Sequence, residues 1–150
     1  METGRRLFLQ GTLALGLLVA LPARLLAAAW PEQAFKTKTI GDSLKELFGA
    51  GSPAPSDAVT LKAPEIAQDG RVVPVTVSTT LTGVQSISIL VEKNPVPLVA
   101  SFELGEGALP SVETRIKMGQ TSTVMAVVKT SSGLFSASKD VKVTIGGCGG

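Results

Sequence analysis

The residue with the most chemistry to offer is Cys148, the single cysteine of a 150-residue chain, set in the ending Gly146-Gly147-Cys148-Gly149-Gly150. A thiol can attack an electrophile, ligate a metal or form a disulfide, and its surroundings decide which. Here the flanking glycines bring no side chain that could bury the sulfur, charge it or fix its direction. A structural cysteine wants apolar neighbours, and an intramolecular disulfide wants a second cysteine that the chain lacks. There is no histidine, which excludes Ser-His-Asp and Cys-His catalysis. One cysteine without histidine also leaves no zinc or haem ligand set. No Walker-type or dinucleotide-binding glycine motif is present. The expectation is a chain with no catalytic residue, no metal and no cofactor of its own. Because a free thiol is only a few per cent thiolate near pH 7, activation has to come from whatever protein receives it.

The elements around Cys148 read as a device for holding that thiol out. Glycine leaves φ and ψ almost unrestricted and adds no bulk, so residues 146–150 read as a flexible arm. From Ile145, three residues at roughly 3.3 to 3.6 Å each let the thiol reach about 10 Å beyond the last strand. Such an arm fits a narrow channel in another protein, which describes a covalent carrier better than an enzyme. The residues alone leave a second reading open, a tail with a stray cysteine. An unpaired exposed thiol invites unwanted disulfides in an exported protein.

Export is itself expected from the other end of the chain. Residues 1–29 combine Arg5 and Arg6, an uncharged run from Gly11 to Leu21 and the small residues Ala27-Ala28-Ala29, which fit an A-x-A cleavage site and leave Trp30 first. Arg5-Arg6-Leu7-Phe8-Leu9 resembles the twin-arginine signal, with Gly4 and Gln10 departing from its usual flanks, and Arg24 suits that pathway. The implied location is the periplasm. A membrane anchor is the competing reading, but Pro22 and Arg24 break an apolar run that falls short of the roughly 20 residues needed to span a bilayer. Cleavage would take Lys+Arg from 14 to 11 and Asp+Glu from 12 to 11, leaving a nearly neutral chain. No nucleic-acid or anionic-membrane partner is expected from that balance.

Residues 30–49 read as a helical segment, with Pro31 at a first helical position and Thr39 and Asp42 as a capping pair. Ile40, Leu44, Leu47 and Phe48 make an apolar stripe and Gly49 a stop. Gly51-Ser52-Pro53-Ala54-Pro55-Ser56 marks residues 50–56 as a linker. Residues 57–145 then show valine-, isoleucine- and threonine-rich runs separated by turn residues, which predicts an immunoglobulin-like antiparallel β-sandwich. Seven strands are expected, over 57–62, 71–78, 85–92, 98–103, 111–117, 122–129 and 134–145. Val73, Val75 and Val77 share one face of the second run, and Val141, Val143 and Ile145 one face of the last; both sets should point into the core. Pro74 predicts an edge position or a bulge. The Cys...Trp...Cys core of immunoglobulin domains is missing, so aliphatic residues must fill that role. With no tyrosine, one tryptophan and five phenylalanines, base-stacking platforms are not expected either.

The ending Val141-Lys142-Val143-Thr144-Ile145-Gly146-Gly147-Cys148-Gly149-Gly150 resembles that of the SoxY family, the sulfur carriers of the periplasmic thiosulfate-oxidising (Sox) system. Pro64-Glu65-Ile66-Ala67, Val72-Val73-Pro74-Val75, Val91-Glu92-Lys93-Asn94-Pro95 and Thr114-Arg115-Ile116-Lys117-Met118 are similar to stretches of the same family. The resemblance implies that Cys148 is the covalent attachment point for sulfur. It implies a haem c-type enzyme that couples thiosulfate to the thiol, a dimanganese hydrolase that releases sulfate and leaves a persulfide, and a molybdenum-haem sulfane dehydrogenase. It also implies a tight heterodimer with SoxZ, a smaller β-sandwich without the thiol arm.

Two readings from other classes compete. A ubiquitin-like sulfur carrier would act through the carboxylate of Gly149-Gly150 on a β-grasp fold, against which the export signal and seven expected strands argue. A structural β-sandwich would use Cys148 to form a disulfide-linked dimer.

Overall fold

The computed structural model describes residues 30–49 and 52–145. Within the unit that begins at Pro31, the chain opens with a 3-10 turn, Ala34–Lys36. It is closed by Thr37, whose hydroxyl donates to the Ala34 carbonyl at 2.9 Å. Helix α1, Ile40–Phe48, comes next. Thr39 caps it by accepting from the Asp42 N–H at 3.1 Å and donating its hydroxyl to the Asp42 carboxylate at 2.7 Å. At the other end Gly49 takes φ 81° and donates its N–H to the Lys45 carbonyl, the left-handed stop that glycine makes cheaply. The capping pair and the stop are as expected. The regular helix is shorter than the 30–49 segment, because Thr37–Thr39 are spent on closing one turn and capping the next.

Nine strands run through the described residues: β1 (Ala54–Pro55), β2 (Val59–Lys62), β3 (Ile66–Ala67), β4 (Val73–Thr79), β5 (Val84–Val91), β6 (Leu98–Glu103), β7 (Ser111–Ile116), β8 (Ser122–Thr130) and β9 (Gly133–Val143). The larger sheet has the order β1-β9-β8-β5-β6, with β3 also paired to β9, and the smaller one has the order β2-β4-β7. The fold is therefore mainly β, two sheets with one short helix near the start. The seven expected strands are all present, and the two additional ones are two-residue parallel pairings on the outer edge of β9.

Alternation decides which side chains meet. Val73, Val75 and Val77 on β4 face Ile87, Ile89 and Val91 on β5 and Val124, Ala126 and Val128 on β8 in one buried core. Full burial of a valine or isoleucine side chain contributes about 1.5–3 kcal/mol, so this aliphatic layer replaces the missing Cys...Trp...Cys arrangement. On the other side of the larger sheet, Ile40, Leu44, Leu47 and Phe48 of α1 pack with Leu90, Leu98 and Val127. The apolar stripe of the helix thus finds its partner within the chain.

Two sequence expectations meet the structure at β4 and β9. Pro74 lies in a central strand, yet β2 pairs with β4 only from Thr76 to Thr79, so at Pro74 just one neighbour remains, β7. The missing N–H falls where the strand is locally an edge. On β9, Val141 is buried and Val143 packs against the core, but Ile145 is 63% exposed. The expectation that Ile145 joins the core is corrected: the ladder ends at Val143, and strand alternation no longer governs Thr144 and Ile145.

Candidate functional site

Cys148 and the glycines Gly146, Gly147, Gly149 and Gly150 lie outside the described residues, as do Arg5, Arg6, Phe8 and Leu9. What the structure does describe is the pole of the sandwich from which residues 146–150 continue. Ile145 is the last residue described there, and its carbonyl accepts the Gly70 N–H at 3.1 Å. Gly70 in turn accepts from the Met118 N–H at 2.7 Å, so one residue bridges the end of β9 to the segment after β7. Thr144 donates its N–H to the Ala67 carbonyl at 3.1 Å, Lys142 to that of Glu65 at 2.9 Å, and Val143 to the Thr121 hydroxyl at 3.0 Å. The final turn of chain before Gly146 is thereby tied on both sides.

The Asp69–Arg71 pair holds this bracket in shape. Arg71 donates its backbone N–H to Asp69 at 2.8 Å, its Nε at 3.0 Å and its Nη2 at 2.7 Å. This forked geometry fixes the loop around Gly70. The side-chain hydrogen bonds from Arg71, followed by its backbone N–H, hold the Asp69 carboxyl below its ordinary value, and the same pair raises Arg71. A carboxyl depressed in the folded chain favours the bracket above its unfolded value, and that gain disappears as pH falls through the folded value. We expect Asp69 to titrate below the usual carboxylate range of about 3.9 in the wild type. In Arg71→Gln, which removes the side-chain fork but keeps the backbone N–H, it should move up toward that range, read by carboxyl chemical shifts. Unchanged titration in the variant would show that the fork is not formed in solution.

Opposite Gly70, Asn94 performs a similar service. Its Nδ2 donates to the Lys117 carbonyl at 2.8 Å and its Oδ1 accepts the Gly119 N–H at 3.0 Å. Asn94→Ala should therefore release the loop between β7 and β8 from the turn after β5 and cost about 1–2 kcal/mol, measured by denaturant unfolding. A loss under about 0.3 kcal/mol would contradict this, since it is the size of a neutral surface change.

The four internal stretches on which the family resemblance rests come together here. Pro64–Ala67 contains β3, Val72–Val75 begins β4, Val91–Pro95 ends β5 and turns, and Thr114–Met118 ends β7. Pro64–Ala67 pairs with the end of β9 that leads to residue 146, Thr114–Met118 connects to that end through Gly70, and Val72–Val75 and Val91–Pro95 connect to Thr114–Met118 through the β4–β7 ladder and Asn94. The hydrogen-bonded loop around Asp69-Gly70 was missed by strand periodicity, although the Asp-Gly dipeptide is a turn signal that could have found it. Among the described residues no group of three Asp, Glu, His or Cys is placed to hold a metal ion. A recess of about 760 Å³ lined by Gly83, Glu103, Glu106 and Ser131 lies at the opposite pole, among the loops leading into β5, β7 and β9.

The family model described as sulfur oxidation protein SoxY matches residues 44–148, from within α1 to the cysteine itself. The structure of the sulfur carrier protein SoxY from Chlorobium limicola f thiosulfatophilum is 38% identical, with a TM-score of 0.65, and the match covers 77% of this chain and 100% of that one. A superoxide reductase (neelaredoxin) from Ignicoccus hospitalis reaches a TM-score of 0.52 at 20% identity over 57% of this chain and 79% of its own, a likeness of fold alone. No curated protein matches the chain. With a family match over most of its length and 38% identity to a solved member, the chain belongs to the SoxY family of sulfur oxidation proteins.

Proposed function

We propose that the chain carries sulfur intermediates of thiosulfate oxidation as covalent adducts on the thiol of Cys148, at the end of a flexible arm formed by Gly146, Gly147, Gly149 and Gly150. The observation that carries this reading is the ending itself: a lone cysteine between glycine pairs, in a member of a family of sulfur oxidation proteins, with the family match running to that cysteine. The bracketed end of β9 supports it, since a tether needs a fixed origin for its reach to define where the thiol can go.

The cycle follows from sulfur chemistry. Joining thiosulfate to the thiol forms an S–S bond, releases the thiol proton and removes two electrons, as in any disulfide-forming oxidation. A haem c-type enzyme accepts those electrons. Hydrolysis of the terminal S–S bond by a dimanganese enzyme places the water oxygen in sulfate and leaves a persulfide on Cys148. A sulfane dehydrogenase oxidises the remaining sulfur for a second hydrolysis. The carrier itself acts as a non-catalytic subunit, in a heterodimer with SoxZ, and works in the periplasm after export by the twin-arginine pathway.

The test is to incubate the chain with SoxZ, thiosulfate and the coupling enzyme and to map mass additions by peptide. Additions on the peptide that contains Cys148 are expected. Additions confined to the Gly150 carboxylate would favour a ubiquitin-like carrier, and disulfide dimer alone would favour a structural role.

A further inference from the structure

We infer that Ile66, Val72 and Ile145 are a docking rim, an apolar surface on which the enzyme that loads Cys148 seats the mouth of its channel. This rests on the carrier reading and deepens it by naming the surface that meets the enzyme. Among the described residues five large apolar side chains stay exposed, and these are three of them. Of the other two, Leu109 is flanked by Ala108 and Pro110, which line the recess of the opposite pole, and Trp30 precedes the unit that begins at Pro31. Ile66, Val72 and Ile145 sit on the two segments that frame the origin of the arm. Ile66 pairs with Lys142 in the β3–β9 ladder, and the next residue, Ala67, accepts the Thr144 N–H. Val72 donates its N–H to the Asp69 carbonyl at 3.3 Å and lies two residues from Gly70, whose own N–H holds the Ile145 carbonyl. The charges of those segments, residues 64–72 and 141–145, are Glu65, Asp69, Arg71 and Lys142, two of each sign. No excess of one sign is left to select a partner, and the exposed aliphatic groups are what remains to bury.

The length of the arm says what covers this rim. Cys148 is three residues past Ile145, a reach of about 10 Å. A channel that brings its reacting group to the thiol must therefore open within that distance of Ile145. A channel wall one helix thick is about 10 Å across, so it overlies residues that lie one hydrogen bond from the arm's origin. The four glycines of residues 146–150 offer no apolar side chain and cannot cover the rim themselves. A permanently bound subunit seated there would stand between the thiol and any channel as deep as the arm is long. The contact is consequently transient, remade at each loading event. It also supplies binding energy that the arm lacks. Threading glycines into a channel costs backbone entropy, glycine most of all, and burial of the aliphatic rim offsets part of that cost.

The experiment follows the loading of Cys148 with thiosulfate by the coupling enzyme, using the full chain assembled with SoxZ. Wild type is compared with Ile66→Ser, Val72→Ser, the double variant and Leu109→Ser. All three positions are exposed, so the unfolding midpoint and the reactivity of Cys148 with iodoacetamide should stay at the wild-type values. The double variant is expected to raise KM for the carrier about tenfold with kcat within about twofold, the split produced by losing contacts made equally in the ground and transition states. Each single variant should raise KM about threefold, and the singles carry the test if the double variant is unstable. Leu109→Ser should keep the wild-type KM. A wild-type KM in I66S/V72S, or an equal rise in L109S, overturns the rim and leaves the loading of Cys148 intact. Loss of SoxZ assembly in I66S/V72S overturns it in favour of that subunit, and wild-type self-association abolished by the same substitutions overturns it in favour of a second copy. A folded wild type whose thiol reacts with iodoacetamide but gains no mass from thiosulfate and the coupling enzyme overturns the carrier reading itself.

Discussion

Cys148→Ser is expected to reduce thiosulfate-dependent turnover of the reconstituted system to the rate measured without the carrier. Serine keeps the size of the side chain but cannot form an S–S bond, so no adduct can be loaded and no later enzyme has a substrate. The loss is all-or-none, because the chain has no second cysteine to substitute. The substitution lies three residues beyond Ile145, the last residue described at that pole, and does not touch the Gly70, Ala67 and Thr121 contacts. Unfolding midpoint and SoxZ affinity should therefore match the wild type. Oxygen uptake with thiosulfate checks the first part, and turnover above the carrier-free background would contradict it.

The largest expected effect on stability comes from Ile89→Ala. Ile89 is fully buried on the inner face of the larger sheet, and its lateral neighbours in the ladder are Ala100 on β6 and Ala126 on β8. Small neighbours cannot close over the space left behind, so the loss belongs near the upper part of the roughly 2–5 kcal/mol range for isoleucine-to-alanine changes. The corresponding fall in Tm is on the order of 10 °C for a domain of this size. Val72→Ala is the control: Val72 is 53% exposed and its truncation should cost under about 0.5 kcal/mol. Equal effects of the two substitutions in thermal unfolding would show that the core is not organised around β5.

The helix and the long strands are legible in the sequence because each carries a repeating signal. Thr39, Asp42 and Gly49 mark the ends of α1, and the alternation of Val73, Val75 and Val77 sets the inward face of β4 from residue types alone. The two-residue strands β1 and β3 carry no such signal. Their pairing is parallel and depends on where residues 53–67 lie along β9, a tertiary fact without local periodicity. Ile145 misleads for a related reason, since its place in the alternating pattern extends past the point where the ladder stops. At the functional pole, Cys148 stands out by its glycines, whereas the bracket that anchors the arm is made of backbone groups of Gly70, Ala67 and Ile145, which no residue type announces.

The central claim is that sulfur rides on one thiol, and the most direct measurement is the mass of the Cys148 peptide through a single turnover. Adding thiosulfate and the coupling enzyme should increase it by one thiosulfate group, and adding the hydrolase should reduce that to a single sulfur atom with an equivalent of sulfate released. Sulfate production while the Cys148 peptide keeps its unmodified mass throughout would contradict the account.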